Sequence, residues 1–265
     1  MRKNQKNKEW AAKFRLDRKT ELLRLATVLE NERVCADVSP LKQAANDCAQ
    51  NLRRRDDEWG YEMSDLQFEI ATPRETEPSN IGKQLSVRVS VNFHGQCVNE
   101  TYDPFSSLEL NIEVFDAPPP ACSSYVSWHF DRHIADDLSK DVEAHPLYHF
   151  QHGGHKINTN IANEIGRLLL LAPPRLPHPP MDGILAIDFI LSNFSGHIWR
   201  SLRADSADYR ALVVGAQMRL WRPYMALLGQ IYETESFEEG AAFAIWPLLA
   251  SERAKHNSLI SKSKK

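Results

Sequence analysis

Apolar residues recur through residues 6 to 31 at Trp10, Phe14, Leu22, Leu25 and Leu29, mostly at helical offsets, with Lys and Arg between them and neither Gly nor Pro. One face of this stretch is oily and the other charged, which predicts an amphipathic helix. A second helix is predicted from Ser39-Pro40, an N-cap residue followed by proline at the first helical position, burying Leu41, Ala44, Ala45, Cys48 and Leu52. It should end near Arg53-Arg54-Arg55-Asp56-Asp57, where the arginines complement a helix C-terminus or contact phosphate.

The hydrophobic period then drops from 3.6 to 2. Leu66, Phe68 and Ile70 alternate with polar residues, as do Leu85 to Phe93 and Leu108 to Val114, with turn-forming clusters between them. Tyr125 to Asp131 sets Val126, Trp128 and Phe130 against Tyr125, Ser127, His129 and Asp131. Leu147 to His152 sets Leu147, His149 and Gln151 against Tyr148, Phe150 and His152. These segments predict an antiparallel meander of about five strands, one face on a core and one wet. Helical patterning returns over 160–172, stops at Pro173-Pro174, and resumes over Met181 to Phe194 and Ala207 to Ile231, with Pro223 inside the last helix. Five prolines in residues 173–180 predict a stiff polyproline-like bridge.

Helices, then strands, then helices argue for an α+β fold with C-terminal helices packed on one sheet face. The expected organisation is an N-terminal helical segment (1–58), an antiparallel sheet (59–157), a C-terminal helical segment sharing its domain (158–253) and a polar tail (254–265). The chain has 265 residues, 42% of them hydrophobic, which supports a core and excludes wholesale disorder. No apolar run approaches the ~18 residues of a membrane span, and the first residues are charged rather than apolar. Four cysteines without a C-x-x-C pair fit a reducing compartment, so the expectation is a cytoplasmic protein with no membrane association.

The formal charge of −3 conceals an asymmetry. Residues 1–24 hold nine Lys or Arg against three Asp or Glu, and residues 251–265 hold five against one, leaving −13 on residues 25–250. Two basic ends on an acidic body argue against nucleic acid lying broadly across the fold and leave room for a confined site.

The chemical anomaly is histidine. Seven of the ten lie between residues 129 and 178: His129, His133, His145, His149, His152, His155 and His178. If the fourth and fifth strands pair antiparallel, His129 and His149 stand side by side on one face, and two imidazoles with Arg175 suit proton transfer or hydrogen bonding at phosphate oxygens. Gly153-Gly154 would let backbone N–H groups approach a ligand. A metal site is the second reading, with His129, Asp131, His133 and His149 as ligands, although H-E-x-x-H is absent. Cys122, Ser123, Ser124 and Ser127 lie nearby without a nucleophile elbow. The histidines can also be structural, satisfying one another and the backbone. Asp188, within an apolar helix, needs a partner such as Arg175 or a histidine unless it is exposed.

The run His145-Pro146-Leu147-Tyr148-His149-Phe150-Gln151-His152-Gly153-Gly154, followed by Pro173-Pro174-Arg175-Leu176-Pro177-His178-Pro179 and a helix ending Asp188-Phe189-Ile190-Leu191-Ser192-Asn193-Phe194, resembles uncharacterised prokaryotic proteins often encoded near toxin-antitoxin and phage-defence genes. The resemblance implies a bacterial, intracellular, defence-type role and no particular reaction. It selects His145, His149, Gln151 and Arg175.

The resulting expectation is a cytoplasmic bacterial protein of defence or toxin-antitoxin type that recognises a phosphate-bearing or nucleic-acid ligand without a cofactor. His149, His129 and Arg175 would do any proton chemistry, and His145, Gln151, Gly153, Gly154 and His178 would bind. One alternative is a metal-dependent hydrolase or nuclease holding a divalent ion on the His-rich strands. The other is a non-catalytic subunit that docks a protein partner through the N-terminal helix. The residues leave open whether the protein is an enzyme.

Overall fold

The alternating segments form a six-stranded antiparallel sheet in the order β1-β2-β3-β4-β5-β6. Its strands are β1 (Glu58–Ala71), β2 (Gln84–Gln96), β3 (Ser107–Phe115), β4 (Tyr125–Arg132), β5 (Tyr148–His152) and β6 (Leu176–Pro177). The helices are α1 (Arg2–Asn31), α2 (Ser39–Gln50), α3 (Gly183–Phe194), α4 (Gly196–Asp205) and α5 (Ala207–Glu233). This computed structural model describes residues 2–52, 54–73, 76, 81–98, 103–119, 121–132, 146–153 and 176–233. The helix expected over 160–172, the apolar segment at 241–250 and the polar tail lie outside the described residues. The fold is α+β, with N-terminal helices before the sheet and C-terminal helices after it.

β1 begins earlier than its predicted alternation. Trp59, Tyr61 and Met63 face the core at odd positions and Leu66, Phe68 and Ile70 at even ones, because the register slips between Met63 and Leu66. Asp65 takes φ 59°, and its N–H donates to Ser90 Oγ at 2.9 Å. Such a bulge shifts the alternation by one residue, so a strict period of 2 loses the strand there. Gly60 is needed opposite β2, since a Cβ would lie 2.1 Å from the Phe93 carbonyl oxygen.

Three other local expectations are corrected. α2 starts one residue earlier than a Ser39 cap implies: Val38 is the N-cap, and the Ser39 N–H donates to Asp37 Oδ1 at 2.8 Å. The helix ends at Gln50 because Asn51 adopts the left-handed conformation (φ 52°, ψ 34°), which Asn tolerates. Leu52 therefore leaves the helical face and is 81% exposed. Within the proline-rich segment, Leu176–Pro177 is not polyproline-like but the sheet's edge strand, where a residue lacking an N–H is accommodated. The short α4, not anticipated from the sequence, is amphipathic: Leu202 is buried, and Ile198 and Trp199 pack against the core.

Side chains from α1, α2, the sheet, α3, α4 and α5 belong to one hydrophobic cluster. Its centre is aromatic: Trp59, Tyr61 and Phe105 surround Phe93, with Phe93 centroid separations of 4.9 Å to Trp59 and 4.6 Å to Tyr61 and Phe105. α3 is buried along most of its length, so both its ends and its single acid need partners. Asp182 caps it, with Oδ1 accepting from the N–H groups of Ile184 and Leu185 at 3.1 Å each. Asp182 Oδ2 accepts from Arg219 Nη2 of α5 at 2.9 Å, and the same nitrogen is 3.3 Å from Glu21 Oε2 of α1. Asp188 accepts from Trp199 Nε1 at 2.9 Å, Tyr209 OH at 3.0 Å and Arg203 Nη2 at 2.8 Å. Its partners are thus an indole, a phenol and a guanidinium from α4 and α5.

Arg219 is the charge that buried Asp182 and half-buried Glu21 share. Replacing Arg219 by Met should lower unfolding stability by about 3–5 kcal/mol, because buried Asp182 loses its guanidinium while Glu21 keeps only the share of charge that Arg18 supplies. Replacing Glu21, Asp182 and Arg219 together by apolar residues of similar size should cost less than Arg219→Met alone. Urea unfolding of both variants measures the difference.

Candidate functional site

Alternation assigns the two faces of β4 and β5 to different environments. Phe130, Tyr148 and Phe150 turn toward the helices, where Phe150 and Phe189 of α3 lie 5.2 Å apart by ring centroids. Ser127, His129, Asp131, His149 and Gln151 take the opposite positions, on the outer face. Cross-strand register then builds a patch of two rows over three strands. Glu109 of β3 stands opposite Asp131 of β4, which stands opposite His149 of β5. In the next row Asn111 stands opposite His129, which stands opposite Gln151.

His129 and His149 are therefore diagonal neighbours rather than direct partners, with ring centroids 6.5 Å apart and planes at 78°. His129 Nε2 lies 3.3 Å from Asp131 Oδ2. One donor atom from each of His129, Asp131 and His149 lies within 4.8 Å of the other two. His149 is 4% exposed, and its Nδ1 lies 3.2 Å from the Pro146 carbonyl oxygen. A carbonyl oxygen only accepts, so Nδ1 donates and Nε2 carries the lone pair of the neutral ring. Burial raises the Asp131 carboxyl to about 7, and the nearby charge of Glu109 adds to the shift.

Two braces hold the register. Arg132 and Tyr148, paired one step beyond Asp131 and His149, both bond Asp103: Arg132 Nε and Nη2 at 2.9 and 2.7 Å, and the Tyr148 hydroxyl at 2.6 Å. Toward the other end of β4, Glu113 accepts from Arg88 Nε at 2.8 Å and from the Tyr125 hydroxyl. A side chain on such a braced strand has little freedom to shift, which suits a site needing fixed geometry.

The structure thus brings together His129, Asp131, His149 and Gln151. His178 goes elsewhere. Its ring packs on the helix side against Phe130, Phe150, Phe189 and Trp221, with Nδ1 2.7 Å from the Pro179 carbonyl. Pro177 is the residue opposite His149, so the next residue, His178, turns to the other face. Gly153 extends the sheet: its N–H donates to the Ser127 carbonyl at 2.8 Å, and its own carbonyl accepts from Ser127 Oγ at 2.9 Å. His133, His145, Gly154 and Arg175 lie outside the described residues. Arg54 of the arginine triplet is committed to Asp47 through two hydrogen bonds at 3.3 and 3.1 Å.

Sequence reasoning missed Glu109 and Asn111, joined by a 2.9 Å hydrogen bond from Asn111 Nδ2 to Glu109 Oε1. The signal was available: both alternate with core residues of β3, and an antiparallel β3–β4 pair puts that polar row beside His129 and Asp131. Comparison of the chain with protein-family models, curated proteins and solved structures finds no match.

The fate of His178 has a measurable consequence. Burial holds its imidazole below the ordinary range, partly offset by the Pro179 carbonyl. The unfolded chain takes up a proton near pH ~6.5 that the folded chain resists, so this residue removes stability as pH falls through that value. His178→Gln should narrow the difference in urea midpoint between about pH 7.5 and about pH 5.5.

Proposed function

We propose that the outer face of β3 to β5 recognises a phosphate-bearing ligand, nucleic acid included, through His129, His149 and Gln151. The observation that carries this reading is the convergence of the three side chains on adjacent strands of one face. An imidazole pair can accept one proton and donate another at a phosphodiester. The Gln151 amide adds donors beside them. In the setting implied by the family resemblance, such a protein acts inside a bacterial cell in defence or toxin-antitoxin function. No helix among the described residues is long and apolar enough to cross a membrane.

The site is small, and its surroundings are acidic at Glu109 and Asp131. Binding should therefore neutralise one or two phosphates, giving a slope of log K against log salt of about −1 to −2, far shallower than that of a protein tracking a duplex. Labelled single-stranded and duplex oligonucleotides titrated at several salt concentrations measure the slope. The double variant His129→Ala/Gln151→Ala should weaken binding by ~10-fold or more, on the scale of one or two lost charge-assisted hydrogen bonds, while circular dichroism stays unchanged. Unchanged binding by the folded variant sinks the proposal.

A further inference from the structure

The patch combines two imidazoles with a carboxylate in a way that phosphate recognition alone does not require. An anion approaching His129 and His149 also meets Asp131 and, across the strand pair, Glu109. We infer that His129, Asp131 and His149 bind a divalent first-row transition ion. This goes beyond the phosphate reading and does not depend on it; a phosphate oxygen is one ligand the bound ion could take.

The geometry supports the ion in three ways. First, the three donor atoms already cluster within 4.8 Å, and the His129–Asp131 pair is at 3.3 Å. Donors around an ion with bonds of about 2.0–2.2 Å sit roughly 3–3.5 Å apart, so small side-chain rotations complete the set. Second, the donors come from rigid neighbours: positions i and i+2 of β4 and the residue of β5 facing Asp131, with the register fixed by the Asp103–Arg132–Tyr148 brace. Third, the Pro146 carbonyl fixes His149 in the tautomer that presents Nε2. A backbone carbonyl on the remote ring nitrogen is the usual means of orienting a histidine ligand.

Two imidazole nitrogens and one carboxylate suit iron, zinc, cobalt or manganese, whereas magnesium and calcium favour all-oxygen sites. Three protein ligands leave coordination positions for further ligands, as in catalytic rather than structural sites. His133, which the sequence reading placed in the ligand set, is not needed for this minimal site.

The test uses the full chain, stripped with a chelator and titrated with Co²⁺, whose visible d–d absorption reports coordination by protein nitrogen. Zn²⁺ and Mg²⁺ are followed by calorimetry. The expected result is one equivalent of Co²⁺ taken up with a visible spectrum, displaced by Zn²⁺ and not by Mg²⁺. Asp131→Asn and His129→Ala should each weaken uptake by at least the ~10–100-fold that loss of even an outer-shell residue causes. His152→Ala, on the other face of β5, should bind as the parent does. His149→Gln serves as a third variant if either of the others fails to fold. Absence of saturable uptake by folded protein overturns the inference, as does equal uptake by Asp131→Asn or equal competition by Mg²⁺. Oligonucleotide binding is measured alongside, with and without Co²⁺. Ion uptake without oligonucleotide binding leaves the ion site standing and removes the phosphate reading. Oligonucleotide binding without ion uptake does the reverse.

Discussion

Arg219 sits where α1, α3, α5 and β1 meet, and the arrangement of the helical layer depends on its charge being shared. Its guanidinium lies between Asp182 and Glu21 and 6.0 Å from the ring centroid of Trp59. Glu21 in turn accepts from Arg18 at 2.7 Å. Asp182 has two roles, capping α3 with one oxygen and receiving α5 with the other, while the Tyr61 hydroxyl of β1 accepts the Gly183 N–H at 2.8 Å. An almost wholly apolar helix such as α3 could slide or rotate against a hydrophobic sheet with little change in buried area. The directional bonds at its N-terminus select one placement, although moving the charges out of water costs much of what their attraction returns. Midway along the helix Asp188 makes a second set of directional bonds, to α4 and α5.

Fixing the helices on one side determines the chemistry of the other. Every strand presents alternate residues to each face, so a core of Val, Leu, Ile and Phe under the helices commits the intervening positions to the outer face. The patch of Glu109, Asn111, His129, Asp131, His149 and Gln151 is a result of register, with no loop needed to assemble it. This explains why residues separated by some twenty positions in sequence make a site on adjacent strands, and why the braces at Asp103 and Glu113 matter: a slip of one residue would exchange the faces entirely.

Much of this was legible in the sequence because period 2 and period 3.6 separate cleanly in this chain. The long runs of β2 and β3 and the apolar stripe of α2 appear where alternation and helical spacing place them. The misses have local causes. At β1 a bulge inverts the phase between Met63 and Leu66, and at α2 an Asn in the left-handed region stops a helix that the apolar spacing alone would carry on to Leu52. β6 is two residues long, too short to show any period. For the site, the pairing of β4 with β5 could be anticipated but its register could not, since alternation does not reveal the bonds from Asp103 to Arg132 and Tyr148 that hold it. His129 and His149 were expected side by side and are diagonal. Missing β6 also concealed the parity that sends His178 into the aromatic packing around Phe130 and Phe189.

The charge on the outer face limits what it can receive. Among the described residues it carries Asp65, Glu69, Glu109, Glu113 and Asp131, while Arg88 is engaged by Glu113 at 2.8 Å and lies 3.6 Å from Asp65. A polyanion laid along the strands would be repelled over most of its length, as the charge of −13 on residues 25–250 implies for the body as a whole. The rows across β3 to β5 gather His129, His149, Asn111 and Gln151 within a few ångströms of one another. An anion bound there is held at one point, by short-range donors or through a cation that the carboxylates help to hold. On the proposed reading, selectivity would come from the geometry around a single phosphate rather than from the long-range field, a constraint that an isolated or flexible phosphate group fits better than the backbone of a rigid duplex.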